Sequence, residues 1–243
     1  MTETSQPLAV RRMVSFSEAI YERDWQVEGI RAQRIAGIHE AYATWQRAMI
    51  PVLVDPEFHS RSAFQPEVMV DAIMAKRNLG TSIGQAELVI ALGPGFTAGR
   101  DAHLIVETHR GHNLGRIILV GSAFPDTGIP GDIGGKTSQR VLRAPGDGIF
   151  ESELRIGSSV TEGMIVGRVA ASPVVAGIGG VLRGLIRPGI VVSRGLKIGD
   201  VDPRGERSHC FTVSEKARAV GGSVLEAILN HHVERHISKQ ELD

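Results

Sequence analysis

Three short polar segments carry residue types suited to holding an anion. Lys76, Arg77 and Asn78 offer two cations and an amide. Gly93, Gly95 and Thr97, in the run Gly93-Pro94-Gly95-Phe96-Thr97, leave main-chain amides uncrowded and add a hydroxyl. Glu107, Thr108 and Arg110 bring a carboxylate, a second hydroxyl and a third cation. Charge-assisted hydrogen bonds from such a set suit phosphate or pyrophosphate. Glu107 has two readings that residue type leaves open, to hold Arg110 in place or to act as a general base. It is the one catalytic candidate, and whether the protein is an enzyme stays undecided.

A shared element must bring these segments together. Leu88-Val89-Ile90-Ala91-Leu92 is continuously apolar and too short for a helix, the pattern of a strand buried on both faces. Val68 to Ile73 and His103 to Thr108 are also strand-like, and in a parallel sheet all three runs deliver their polar followers to one carboxyl edge, where ligands of open α/β sheets bind. Further strands are expected at Ile50 to Val54 and Arg116 to Val120, with a helix at Ser15 (Ser-x-x-Glu to Glu18) and another on the stripe Ile38, Ala41, Tyr42, Trp45, taken as core. The expectation is a Rossmann-like parallel α/β domain over residues 1–122.

The histidines point to no metal. His232 and His236 stand at i, i+4, yet Val233 occupies the place where a zinc-protease helix has Glu, and no third ligand is indicated. His109 and His112 fall in a loop and are read as solvated.

The 243 residues are 42% hydrophobic and carry 27 basic and 27 acidic side chains, so no charge excess points to nucleic acid or anionic lipid. No apolar run reaches the ~18 residues of a membrane span, and no signal peptide opens the chain. One cysteine, Cys210, suits a reducing compartment, and a cytoplasmic location is expected.

Residues 123–140, rich in Gly and Pro, read as a linker or functional loop. Beyond them Ala144, Gly148, Gly157, Val160, Gly163, Gly167 and Val169 recur, each displaced by 32 residues, as Ala176, Gly180, Gly189, Val192, Gly195, Gly199 and Val201. One copy of such short strands cannot bury its own apolar face, so the two must close on each other. The pattern resembles the barrel-sandwich fold of biotinyl and lipoyl carrier domains, which implies a small all-β domain over 141–205. The join between copies, Arg168 to Pro173, lacks the carriers' lysine, so no carrier role is expected. Residues 206–243 follow as a helical segment capped by Ser214, interrupted at Gly221-Gly222 and docked through Leu225, Ile228, Leu229 and Val233.

The segments QPLAVRR from Gln6, VDAIMAKRNLGTSIG from Val70, LGPGFTAGRDAHLIVETHRGHNLGRI from Leu92, RVLRAPGDGIF from Arg140 and GLKIGDVDPRG from Gly195 resemble the maturation proteins of the selenium-dependent molybdenum hydroxylase system. The resemblance implies an accessory protein with a molybdenum hydroxylase as client and the anionic molybdenum cofactor, or a precursor of it, as ligand. Members of that family begin with a strand and a glycine-rich dinucleotide-type turn, whereas only residues 1–5 precede Gln6 here, which leaves NAD or FAD binding without its phosphate turn. The alternative is a stand-alone enzyme using a phosphorylated nucleotide or S-adenosylmethionine, such as a methyltransferase, suggested by Gly93-Pro94-Gly95 after a strand. Oligomeric state is left open, a homo-oligomer included.

Overall fold

The computed structural model describes residues 1–240. The chain forms two compact units, each built from two stretches of sequence: Met1–Ser60 with Pro130–Val213, and Arg61–Ile129 with Ser214–Asp243. The single Rossmann-like sheet over 1–122 with a separate barrel-sandwich domain is thereby corrected to a mixed α/β architecture of four four-stranded sheets and a long C-terminal helix.

In the first unit β1 (Thr2–Glu3), β2 (Asp24–Val27), β3 (Ile30–Ile35) and β4 (Met49–Val54) form a sheet of order β1-β4-β3-β2. β3 and β4 are parallel, with β2 antiparallel to β3 at one edge and β1 parallel to β4 at the other, and no later strand joins this sheet among the described residues. Ser15 accepts the Ser17 amide and opens a turn that runs on into α1 (Ala19–Glu22). Glu18 does not complete a capping box; it is buried and ion-paired with Arg12 and Arg187. α2 (Ala41–Gln46) buries only Ala41 and Thr44, and Tyr42 and Trp45, expected in the core, are 68% and 52% exposed.

The second unit opens with α3 (Arg61–Phe64) and holds β5 (Val68–Asp71), β6 (Leu88–Leu92), β7 (Leu104–Val106) and β8 (Ile117–Ile118) in the order β5-β6-β7-β8. β5, β6 and β7 are parallel and every residue of β6 is buried, which is why its sequence is apolar without alternation. β8 runs antiparallel to β7 and is two residues long, against the five-residue strand expected there. α4 (Glu215–Gln240) is capped by Ser214, whose hydroxyl accepts the Ala217 amide. It passes through Gly221-Gly222 without a break. Two glycines cost a helix roughly 2 kcal/mol against alanine, a loss that packing readily offsets. The packed face consists of Val220, Val224, Ala227 and Ile228 against Leu88, Ile90, Leu92, Leu104 and Val106. Leu225, Leu229 and Val233, expected to dock beside Ile228, are each more than half exposed.

The rest of the first unit is the repeat. Its strands are β9 (Val141–Arg143), β10 (Gly148–Glu151), β11 (Ser159–Val160) and β12 (Ile165–Val169) in one copy. The second copy supplies β13 (Ser172–Val175), β14 (Gly180–Leu185), β15 (Val191–Val192) and β16 (Lys197–Asp202). The two sheets, β13-β12-β10-β15 and β11-β14-β16-β9, each take two strands from each copy. Hydrogen bonds recur in reciprocal pairs: Gly163 N to Ala176 O answers Gly195 N to Ala144 O, and Gly157 N to Leu182 O answers Gly189 N to Phe150 O. Gly148 and Gly180 share a backbone that L side chains avoid, φ 145° and 152°.

This region does not close on itself alone. Val10, Met13 and Tyr21 pack on its core, Leu185 donates its amide to the Val10 carbonyl, and a Cβ on Gly184 would lie 2.7 Å from Val10 Cγ1. The residues after Gln6 are therefore part of the same body as the repeat.

Candidate functional site

Within the second unit, the polar segments after β5 and β6 meet through the backbone, and the turn after β6 meets the chain after β7 at a threonine side chain. A Cβ on Gly95 would stand 2.6 Å from both Cα and N of Arg77, so the chain after β5 lies directly against the glycine turn after β6. Gly93, at φ 78°, is similarly closed by Thr108, whose Oγ1 would be 2.5 Å from a Cβ. Only glycine fits at these two places.

The turn after β6 uses its amides internally. Gly93 donates to Val106 O, Thr97 to the Asp101 carboxylate at 2.7 Å, Ala98 to Gly121 O and Gly99 to Ala102 O. Thr97 Oγ1 lies 3.2 Å from Ser122 Oγ. The Asp101 carboxyl sits below its ordinary range, chiefly through the hydrogen bond from Arg100 and also through the Thr97 amide. Asn78 is a loop builder: its side-chain oxygen accepts the amides of Gly80 and Thr81, and its nitrogen donates to Thr81 O. Lys76 pairs with Asp126 at 2.8 Å, while Arg77 is exposed and has no ion-pair partner among the described residues.

The chain after β7 forms the wall of a cleft of about 520 Å³. Of the eight residues singled out from sequence, Glu107 and Arg110 line it; Lys76, Arg77, Asn78, Gly93, Gly95 and Thr97 do not. Glu107 is 5% exposed, and its two carboxylate oxygens accept the amides of His109 (2.6 Å) and Phe124 (2.7 Å). Its own amide and carbonyl bond Arg116 O and Gly115 N. Glu107 thus ties the end of β7 to the start of β8 and to the segment 122–125. It does not hold Arg110, which pairs instead with Glu215 at the start of α4.

The cleft gathers residues that sequence reasoning missed or set aside. His109, His112, Asn113, Arg116, Ser122 and Phe124 line it, with Ile118, Ala123 and Pro125 supplying apolar surface. Arg116 has no ion-pair partner among the described residues. The His109 and Phe124 rings lie 4.5 Å apart at 38°. The available signal was two histidines and two arginines, His109, Arg110, His112 and Arg116, within eight residues, a density of cationic and protonatable groups unusual for a short return loop.

At the opposite, amino-terminal edge of the sheet, Glu67, Glu87 and His231 place one ligand atom each within 4.8 Å of the others. Arg235, one turn beyond His231, pairs with both carboxylates. The helix pair His232 and His236 does not converge: His236 Nδ1 lies 2.9 Å from the His232 carbonyl, and His232 faces Glu67. Among the described residues, no helix is long and apolar enough to cross a membrane.

No protein-family model matches the chain. It is 44% identical over 229 residues to a protein of Escherichia coli strain K12 named "Uncharacterized protein YqeB", an overlap of 94% of this chain and 42% of that one. The chain therefore spans less than half the length of the curated relative it matches. Among solved structures, a succinylglutamate desuccinylase from Silicibacter sp. TM1040 aligns at 28% identity over 35% of this chain and 27% of its own, with a TM-score of 0.24. The product-bound ectoine utilization protein EutE (DoeB) from Ruegeria pomeroyi aligns at 14% identity over 83% of both chains, with a TM-score of 0.27. Likenesses this slight carry neither fold nor activity across.

These findings overturn the resemblance to maturation proteins of the molybdenum hydroxylase system. None of them points to that family, and the accessory role, the selenium chemistry and the hydroxylase client fall with it. The methyltransferase alternative is equally unsupported.

Proposed function

We propose that the second unit is a small-molecule-binding module that takes an anionic, phosphate-bearing ligand in the cleft beside β7. One observation carries the reading: Arg110, Arg116, His109 and His112 share a 520 Å³ cleft, and its buried carboxylate, Glu107, is engaged by two main-chain amides. Among the described residues Arg116 has no anionic partner, and Arg110 pairs with Glu215, 67% exposed, which a doubly charged ligand can displace. The volume lies in the usual range for small-ligand sites, roughly 300 to 1,000 Å³. Lys76, Arg77, Asn78, Gly93, Gly95 and Thr97 act in this reading as the frame that shapes neighbouring loops. A buried, reduced Cys210 suits a cytoplasmic setting.

Calorimetric titration with inorganic pyrophosphate tests the proposal. A charged hydrogen bond contributes roughly 1.5 to 3 kcal/mol, so Arg116→Ala should weaken binding by about ten- to a hundredfold without changing the melting temperature. Absence of heat with pyrophosphate and phosphate, or equal affinity in the variant, would end it.

A further inference from the structure

Resting on that reading, we infer that the ligand is a nucleoside phosphate whose base stacks on Phe124 while its phosphates meet Arg116 and Arg110. Phe124 is 52% exposed and lines the cleft among cationic side chains. Scattered exposed apolar residues need no explanation. This one is positioned: its main-chain amide donates to buried Glu107 at 2.7 Å, and its ring rests 4.5 Å from the ring of His109. A half-bare aromatic face beside the guanidinium groups of Arg116 and Arg110 is what recognition of a phosphorylated aromatic heterocycle requires, since bases stack on such faces whatever their sequence of donors and acceptors. Phosphate alone leaves most of the 520 Å³ to water, whereas a base, a sugar and two phosphates match it. The base is selected by stacking, so adenine and guanine compounds should bind alike.

Pyrophosphate, ribose 5-phosphate, ADP and GDP are to be titrated into the full chain by calorimetry. ADP and GDP should bind about tenfold or more tightly than the two base-free probes. Phe124→Ala should remove most of that advantage, and Phe124→Trp should restore it, which a merely structural role for the ring would not do; thermal melts of both variants establish that they fold. Equal affinity for ADP and pyrophosphate in the wild type, or an unaltered ADP preference in Phe124→Ala, overturns the nucleoside assignment and leaves the anion site standing. If no probe binds at all, the anion site and this inference fall together.

Discussion

Arg77 and Gly95 touch through their backbones: the Cα and N of Arg77 lie 2.6 Å from where a Gly95 Cβ would be. Gly95 also sits at φ 109°, so an alanine there meets both a clash with main chain and a disfavoured conformation. Gly99, at φ 81° with open space around it, supplies the comparison. Gly99→Ala should cost about 1 kcal/mol from strain alone, and Gly95→Ala about 3 kcal/mol or more. Urea unfolding of the two variants checks this; equal losses would mean that the Arg77 backbone yields.

Glu107→Gln keeps the shape of the side chain and turns one acceptor oxygen into a donor facing an amide. One of the two contacts, to His109 or Phe124, must break, at a cost of about 1 to 3 kcal/mol. Hydrogen exchange should show faster protons in 122–125 and little change in β6.

Arg140 and Asp200 form a buried ion pair, with Arg140 also donating to the Gly131 carbonyl. Arg140→Met leaves Asp200 buried with Lys197 at 3.8 Å and the charge of Arg11 nearby, and should cost about 3 to 5 kcal/mol. Adding Asp200→Leu should recover part of that loss, a coupling that a double-mutant cycle measures.

Asp202 gives the first unit an acid dependence. Burial alone would raise its carboxyl, but the hydrogen bonds from the Arg204 side chain and amide, with the charges of Arg204 and Arg183, hold it below the ordinary 3.8. A depressed folded-state value means the charged form stabilises the fold above the unfolded value, and that contribution disappears as pH falls through the folded one. Stability should therefore decline below about pH 4. Asp202→Asn should flatten that slope in urea titrations at pH 7, 4.5 and 3.

The sequence was informative wherever a constraint repeats locally. Leu88 to Leu92 read correctly as a strand buried on both sides, and the 32-residue displacement located residues that occupy matching places, such as Ala144 and Ala176, 3% and 1% exposed. Phase on α4 was not readable, because Val220, Val224, Ala227 and Ile228 compete with Leu225, Leu229 and Val233 as apolar stripes and only packing chooses between them. The partition into two discontinuous units was hidden as well. It depends on contacts such as Val10 with Leu185, which no local period records. The cleft residues His109, His112, Arg116 and Phe124 come from loops, where periodicity has nothing to say.

The interleaving of the two repeat copies sets an order of events during synthesis. One sheet of that region waits for β15 and the other for β16, the last strand made, since β9 pairs with β16 across 54 residues at Arg143 with Lys197 and 59 at Val141 with Asp200. The first 60 residues, which belong to the same unit, leave the ribosome earlier still and wait through all of 61–129 for their partners. Pairings so distant in sequence close slowly and hold their strand edges open meanwhile. Refolding of the first unit should lag behind that of the parallel β5-β6-β7 core, and Val10, without Gly184 to cover it, would be among the last residues to find its place.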